Sequence, residues 1–338
     1  MTLLKFIAKR LGYAAGVLIG LSILLFMIAR VMPGNPARMA LGPRAPQWAI
    51  ERLQEEMHLN APIYIQYYYW IKGAVRGDFG ESLISRRDVA EDIKEYFPAS
   101  LELALYAAVI MGVMGVFFGV ISGWFANTWI DNVVRVFAYI GVVTPSFVFA
   151  IFFVLIFSYW LEILPTIGRL SSGIAPPPEI TGMLTIDSLL SGNFQAFWDG
   201  LKHVILPAVS LAMGPMAQEA RITRSSMSDN AQKDFIALER ACGIPEKVIM
   251  FKYLLKPSLI PTISIYGLDI AGLMGNAFLI ELIFNWPGLS RYGMNAILQK
   301  DLNAMVASIL VFGLVFITLN IIVDLIVDFL DPRMRHRA

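Results

Sequence analysis

Of the 338 residues, 57% are hydrophobic and 16% are charged, against roughly 25% charged residues in soluble domains, and the apolar residues gather in runs long enough to cross a bilayer. A net charge of +1, with no basic patch interleaved with aromatics, excludes a global nucleic-acid-binding role. The single cysteine, Cys242, excludes an internal disulfide and a cysteine metal cluster, and His58, His203 and His336 have no metal-ligand spacing.

The composition is that of an all-α polytopic membrane protein. Leu11 to Ile28 is the first span, preceded by Lys5, Lys9 and Arg10; its apolar run exceeds the core of a signal peptide and is expected to be an uncleaved anchor. Met32 to Phe97 is a polar insertion that opens on the turn Pro33-Gly-Asn-Pro36. Within it, Gln47 to Met57 has the pattern of an amphipathic helix, and Ile63 to Trp70 carries an aromatic cluster suited to a membrane interface. At about 65 residues without disulfides it sits near the lower limit for independent folding, so it is expected to cap the bundle rather than form a substrate-binding domain.

Leu101 to Trp124 and Val133 to Trp160 are the second and third spans, separated by a short loop containing Asp131. Leu161 to Lys202 is rich in Pro, Gly and Ser, and Pro176-Pro177-Pro178 argues against a continuous helix there. His203 to Glu219 is the fourth and least hydrophobic span, interrupted by Pro207, Gly214 and Pro215; Pro261 to Phe284 and Ala304 to Phe329 are the fifth and sixth. With the N-terminus in the cytoplasm, both termini and the basic stretch around residue 247 fall inside, which satisfies the positive-inside rule. The domain reading is 1–31 for the tail and first helix, 32–98 for an extracytoplasmic cap, and 99–338 for the transmembrane core, with a cytoplasmic loop at 225–260. No internal repeat supports an inverted-repeat transporter.

No G-x-x-x-x-G-K-[ST] loop, G-x-S-x-G or H-E-x-x-H occurs, so the chain is expected not to be an enzyme and to hold no cofactor of its own. Ionisable residues inside spans remain, since an Asp at a helix centre costs roughly 2.5–3.5 kcal/mol unless it faces water or a partner. Asp269 either lines a path or bonds across the bundle near Asn276. Glu219 is expected to pair locally with Arg221 and Arg224. Glu281, Asp324 and Asp328 are expected to be solvated near span ends. Gly214, Pro215, Gly267, Gly272 and Gly275 allow close helix approach or kinking, and together suggest that the segments beside the basic loop can shift.

That loop is the most informative part of the chain. Ala237, Leu238, Glu239, Arg240, Ala241 and Cys242 suit a short helix, Gly243 can take the left-handed conformation that ends it, and Ile244 leads to Pro245, where a first turn tolerates a missing N–H. Glu246, Lys247 and Val248 then open a second helix running through Lys256. A reversal of this kind, carrying Arg240, Lys247, Lys252 and Lys256, is suited to meeting a partner protein rather than lipid.

The elbow resembles the coupling loop of ABC-importer permeases of the dipeptide/oligopeptide/nickel family. Further motifs in the same order strengthen the likeness: Arg30-Val-Met-Pro-Gly-Asn-Pro36, Arg76-Gly-Asp-Phe-Gly-Glu-Ser-Leu83, Ala220-Arg-Ile-Thr-Arg-Ser-Ser-Met227, Phe284-Asn-Trp-Pro-Gly-Leu289 and Leu330-Asp-Pro-Arg333. The resemblance implies a six-helix type I permease bundle with an extracytoplasmic insertion, the first permease subunit of a pair, in the inner membrane with both termini cytoplasmic. It implies as partners a second homologous permease, two cytoplasmic ATPases that hold ATP and Mg, and an extracytoplasmic binding protein. Residues 237–248 would seat in an ATPase groove, and Asp269, Gly272, Asn276, Gly214 and Pro215 are candidates for the translocation path. Glu239 and Cys242 depart from the family's usual Ala-Arg-Ala-Lys-Gly, which bears on which ATPase is paired. Peptides are the expected cargo, with nickel complexes or oligosaccharides as alternatives; a gradient-driven transporter with Asp269 as its ion site is the rival from another class.

Overall fold

The computed structural model describes residues 3–31, 36–42, 44–56 and 58–330. The expected turn at Pro33–Pro36 and the tail from Asp331 fall largely outside these residues. Among the described residues there is no strand, only one isolated bridge between Glu81 and Asp88. The helices in chain order are α1 (Leu3–Val31), α2 (Pro36–Leu41), α3 (Gln47–Glu56), α4 (Ile63–Val75), α5 (Val89–Trp124), α6 (Trp129–Val143) and α7 (Ser146–Phe153). A π-helical stretch, Val154–Trp160, follows, then α8 (Leu184–Leu190), α9 (Phe194–Ala231), α10 (Asp234–Ala241) and α11 (Glu246–Val248). A second π-helical stretch, Ile249–Leu254, leads into α12 (Leu255–Asn276), and α13 (Phe278–Ile283), α14 (Leu289–Leu298) and α15 (Leu302–Leu330) complete the chain. Helix is the only open-ended element that satisfies its own backbone in hydrocarbon, which is why apolar runs of this length fold so.

Among the described residues, five helical segments are long and apolar enough to cross a membrane, and a sixth crossing is made if the bent pair α6 and α7 with its π-helical extension counts as one. The expected third span, Val133 to Trp160, is therefore not straight: it bends by 110° between Val143 and Ser146. Pro145 disfavours helical dihedrals in the residue before it, and Thr144 is extended at φ −86° and ψ 125°. Other boundaries also shift. α5 starts at Val89, not Leu101, and takes Pro98 into its interior; Glu91 and Asp92 lie in its first turn, where the helix dipole favours them. α9 runs unbroken through Pro207 and Pro215, against the expected interruption, because proline is tolerated in membrane helices where neighbouring groups re-satisfy the freed backbone. The fifth span begins at Glu246 and ends at Asn276, so the expected stretch to Phe284 includes the separate short helix α13.

The chain forms two compact units, one of residues 1–99 and 287–317, the other of residues 100–286 and 318–338. In the first, the aromatic segment of α4 packs on α1: Phe26 meets Tyr67 and Trp70 at centroid distances of 5.3 and 5.6 Å, and Tyr67 shares a 2.8 Å hydrogen bond with Ser22. The loop before α5 is tied down by Asp301, whose carboxylate accepts from Ser82 Oγ and Leu83 N at 2.7 Å each. Buried Asp92 accepts from Arg87 and from Tyr292, and the Tyr292 ring stacks on Tyr96. Burial and this carboxylate push the Tyr292 phenol well above its ordinary range.

In the second unit α9 is the hub, packing on α6, α7, α8, α12 and α13. Gly115, Gly119 and Gly123 of α5 present bare backbone to Glu219, Thr223 and Met227 of α9. A Cβ on Gly119 would lie 2.5 Å from Thr223 Cβ and 2.8 Å from the Ala220 carbonyl, so this approach needs glycine for space. Across α9, Asp131 on α6 receives a two-pronged ion pair from Arg224, Nε at 2.8 Å and Nη2 at 2.7 Å, with Ser122 Oγ at 2.6 Å. Asp131 is thus a buried helix residue, not a loop residue.

The segment between Trp160 and α8 is irregular but anchored. Arg169 donates to Glu102, which also accepts from Thr185 N at 2.7 Å, and its guanidinium lies 5.5 Å from the Trp286 ring. Buried Asp187 accepts from Ile180 N, Thr181 N, Thr181 Oγ1 and Gly182 N at 2.7–3.2 Å. Burial pushes its carboxyl upward, but these donors outweigh burial and hold it below the usual range.

Two outcomes follow from this packing. Gly119→Val should destabilise the fold by about 1–3 kcal/mol, the scale of core overpacking, read as a lower melting temperature in detergent. Asp187 favours its charged form, so it stabilises the 161–183 segment above the unfolded carboxyl value of about 3.9 and loses that contribution as pH falls through its lower folded value. Asp187→Ala should cost about 1–3 kcal/mol at neutral pH by stranding donors, and should speed hydrogen exchange in residues 180–182.

Candidate functional site

The elbow between α9 and α12 is built from the inside out. Ile236 of α10 is fully buried and clusters with Met227, Ile249 and Leu254, fixing the short helix against the ends of its longer neighbours. Gly243 stands at φ +77°, its N–H donating to the Arg240 carbonyl at 3.0 Å, while Ile244 N reaches the Glu239 carbonyl at 3.2 Å. Nothing lies within 4 Å of where a Gly243 Cβ would stand, so the dihedral, not the space, requires glycine. Cys242 caps α10, and Pro245 occupies the cap position of α11 at φ −60° and ψ 137°.

The reversal falls where the sequence places it, with α10 beginning at Asp234, ahead of the expected Ala237. Arg240 Nε pairs with Glu246 Oε1 at 2.9 Å across the corner, clamping the two arms; both side chains are about half exposed, so the pair is worth little by itself. The outer face shows Leu238, 64% exposed, with Ala237, Ala241, Cys242, Lys247 and Val248 also exposed and Glu239 partly buried.

The intramembrane acids are placed differently from expectation. Glu219 is fully buried and neither carboxyl oxygen has a hydrogen-bond partner, so the expected pairing with Arg221 and Arg224 does not form. Residues two and five positions on leave an α-helix on other faces, and Arg224 is directed to Asp131 on α6. Glu219 faces Gly115 of α5 instead. Asp269 on α12 is near enough for its charge to act on Glu219, and its Oδ2 is buried without a partner. Tyr266 donates to the Ala108 carbonyl at 2.9 Å, and Thr223 and Thr262 share a 2.9 Å hydrogen bond.

Asp269, Gly272 and Asn276 share one face of α12 by their spacing of three and four. Asn276 is exposed and makes no hydrogen bond to Asp269. Gly214 faces the Gly141 carbonyl of α6 at ordinary contact distance, and Pro215 is half-buried. Gly267 does meet a close neighbour, Val323, whereas Gly275 has open space around it. Glu281 is fully buried and accepts from Ser100 rather than being solvated near a span end; the side chains of Asp324 and Asp328 lie outside the described ones. The α5 glycines that set the α5–α9 approach have a sequence signal of their own, G-x-x-x-G-x-x-x-G from Gly115 to Gly123.

Residues 115–336 match the family model described as binding-protein-dependent transport system inner membrane component, and residues 3–104 match that of its N-terminal region. The chain belongs to this family. It is 37% identical over 334 residues to the dipeptide transport system permease protein DppB of Alkalihalophilus pseudofirmus, covering 99% of this chain and all of the relative. It is 34% identical to the probable D,D-dipeptide transport system permease protein DdpB of Escherichia coli K12, covering 99% of this chain and 98% of that one. It is 31% identical to the glutathione transport system permease protein GsiC of the same strain, covering 99% of this chain and all of the relative.

The chain is accordingly a multi-pass inner-membrane permease of the ABC-importer type. An unpaired carboxylate in a membrane bundle is a net cost, so Glu219→Gln should leave the melting temperature in detergent equal to or above the parent's. A drop of several degrees would show that the carboxylate has a partner in the assembled transporter.

Proposed function

We propose that the chain is the first permease of a two-permease importer of di- and oligopeptides, forming half of the pathway and docking one cytoplasmic ATPase through residues 237–248. The observation that carries the docking is the Gly243 elbow: a corner fixed by a buried inner face and a left-handed glycine, with Leu238, Cys242 and Val248 turned outward. Peptide cargo is supported by the names of the relatives, which transport dipeptides, D,D-dipeptides or glutathione. On this reading the termini are cytoplasmic, residues 32–98 form an extracytoplasmic cap on which a binding protein delivers cargo, and ATP and Mg belong to the ATPase pair.

The elbow joins α9 directly to α12, so a force on it acts on the two helices that carry Glu219 and Asp269. Closure of the ATPases would move both arms together, because the buried Ile236 cluster packs α10 against both longer helices. Transport is then a shift between two bundle states, with nucleotide and loaded binding protein each favouring one.

Gly243→Val puts a β-branched residue at a positive φ and should cut peptide uptake by tenfold or more while the protein still inserts, with ATP hydrolysis no longer stimulated by loaded binding protein. Uptake at the parent rate would overturn the docking role. Asp269→Asn should leave that stimulation intact, and failure of the complex to assemble would make its charge structural.

A further inference from the structure

Two adjoining clefts lie along the outer side of the α6–α9 pair. The first, of about 360 Å³, is apolar and is walled by Phe118 of α5, Phe137 of α6, and Met213, Met216 and Ala217 of α9. The second, of about 220 Å³, contains Arg135 and Tyr139 of α6 and Arg221, Arg224 and Ser225 of α9. Both are bounded by Val134, Ala138 and Ala220, so one groove passes from a hydrocarbon-lined stretch into a basic one. We infer that this groove binds an anionic phospholipid, one acyl chain lying in the apolar stretch and the phosphate meeting Arg221 and Arg135.

The charge inventory favours that occupant. Three guanidiniums face the basic stretch and one carboxylate, Asp131, lies beside them. Asp131 is taken by Arg224 in a two-pronged pair, and Arg135 reaches it only at 4.0 Å. Arg221 has no ion-pair or hydrogen-bond partner among the described residues and is exposed. The groove therefore carries positive charge that the chain itself leaves unanswered. Its level suits a headgroup: no Lys or Arg occurs on α9 between Lys202 and Arg221, and Trp129, 74% exposed at the start of α6, is the kind of aromatic that sits at the interface. Basic pockets between membrane helices select lipid headgroups by this charge, while the apolar stretch rewards a tail that a soluble anion lacks.

The test uses the transporter purified through a tag on this chain, stripped of lipid by detergent washing, and then supplied with phosphatidylglycerol, phosphatidylcholine or the tail-less headgroup glycerophosphoglycerol. Phosphatidylglycerol alone should raise the melting temperature and remain bound in native mass spectra. Arg221→Gln and Arg135→Gln should each weaken that binding about fivefold, the scale of one basic residue at an anionic surface, with Arg221→Lys keeping most of it. Equal retention of phosphatidylcholine overturns the inference, as does an equal shift from glycerophosphoglycerol. Loss of a co-purifying second permease from both glutamine variants, with phosphatidylglycerol binding unchanged, also overturns it and makes the groove a subunit interface.

Discussion

The bare backbone of α5 at Gly115, Gly119 and Gly123 sets how near α5 and α9 can lie, and much of the larger unit is arranged around that distance. In hydrocarbon there is no hydrophobic gain from bringing two apolar helices together, so contact has to come from fit and from hydrogen bonds. A glycine seam supplies the fit. It brings Glu219 and Thr223 against α5, leaves Arg224 on another side of α9 to reach Asp131, and places Thr223 within bonding distance of Thr262. α9 is thereby held on several sides by different means: by shape against α5, by charge against α6, and by hydroxyls against α12.

Beside that hub, the elbow is a well-packed corner. Its inner face is packed, its turn is fixed by one left-handed residue, and its outer face shows apolar side chains. The acids on α9 and α12 add a second property. Glu219 and Asp269 sit on the two helices that the elbow joins, and neither finds its full complement of partners within the chain. Burying a polar group without a hydrogen-bond partner is costly, so this pair of helices carries a local cost at that level of the bundle.

The elbow was legible because its determinants are local. Gly243 and Pro245 are two residues apart, and each has a conformational meaning that does not depend on the rest of the fold. The long spans were legible for the same reason. The Asp131–Arg224 pair was not, since its members are 93 residues apart and nothing near either names the other. The surroundings of Glu219 are not legible either, because Arg221 and Arg224, though near in sequence, leave the helix on other sides. Pro207 and Pro215 were read as breaks by the rule for aqueous helices, whereas α9 absorbs both.

The bend at Thr144 and Pro145 bears on something larger than its own segment. α6 has 15 residues, about 22 Å of helix at 1.5 Å per residue, short of a hydrocarbon core of about 30 Å. The segment crosses only if α7 and its π-helical extension continue the journey beyond the corner. Even and odd numbers of crossings put the two ends of a chain on the same or on opposite faces of a membrane. The parity of the whole topology, and with it the common side assigned to the basic N- and C-terminal segments, thus rests on how one bent segment completes its passage.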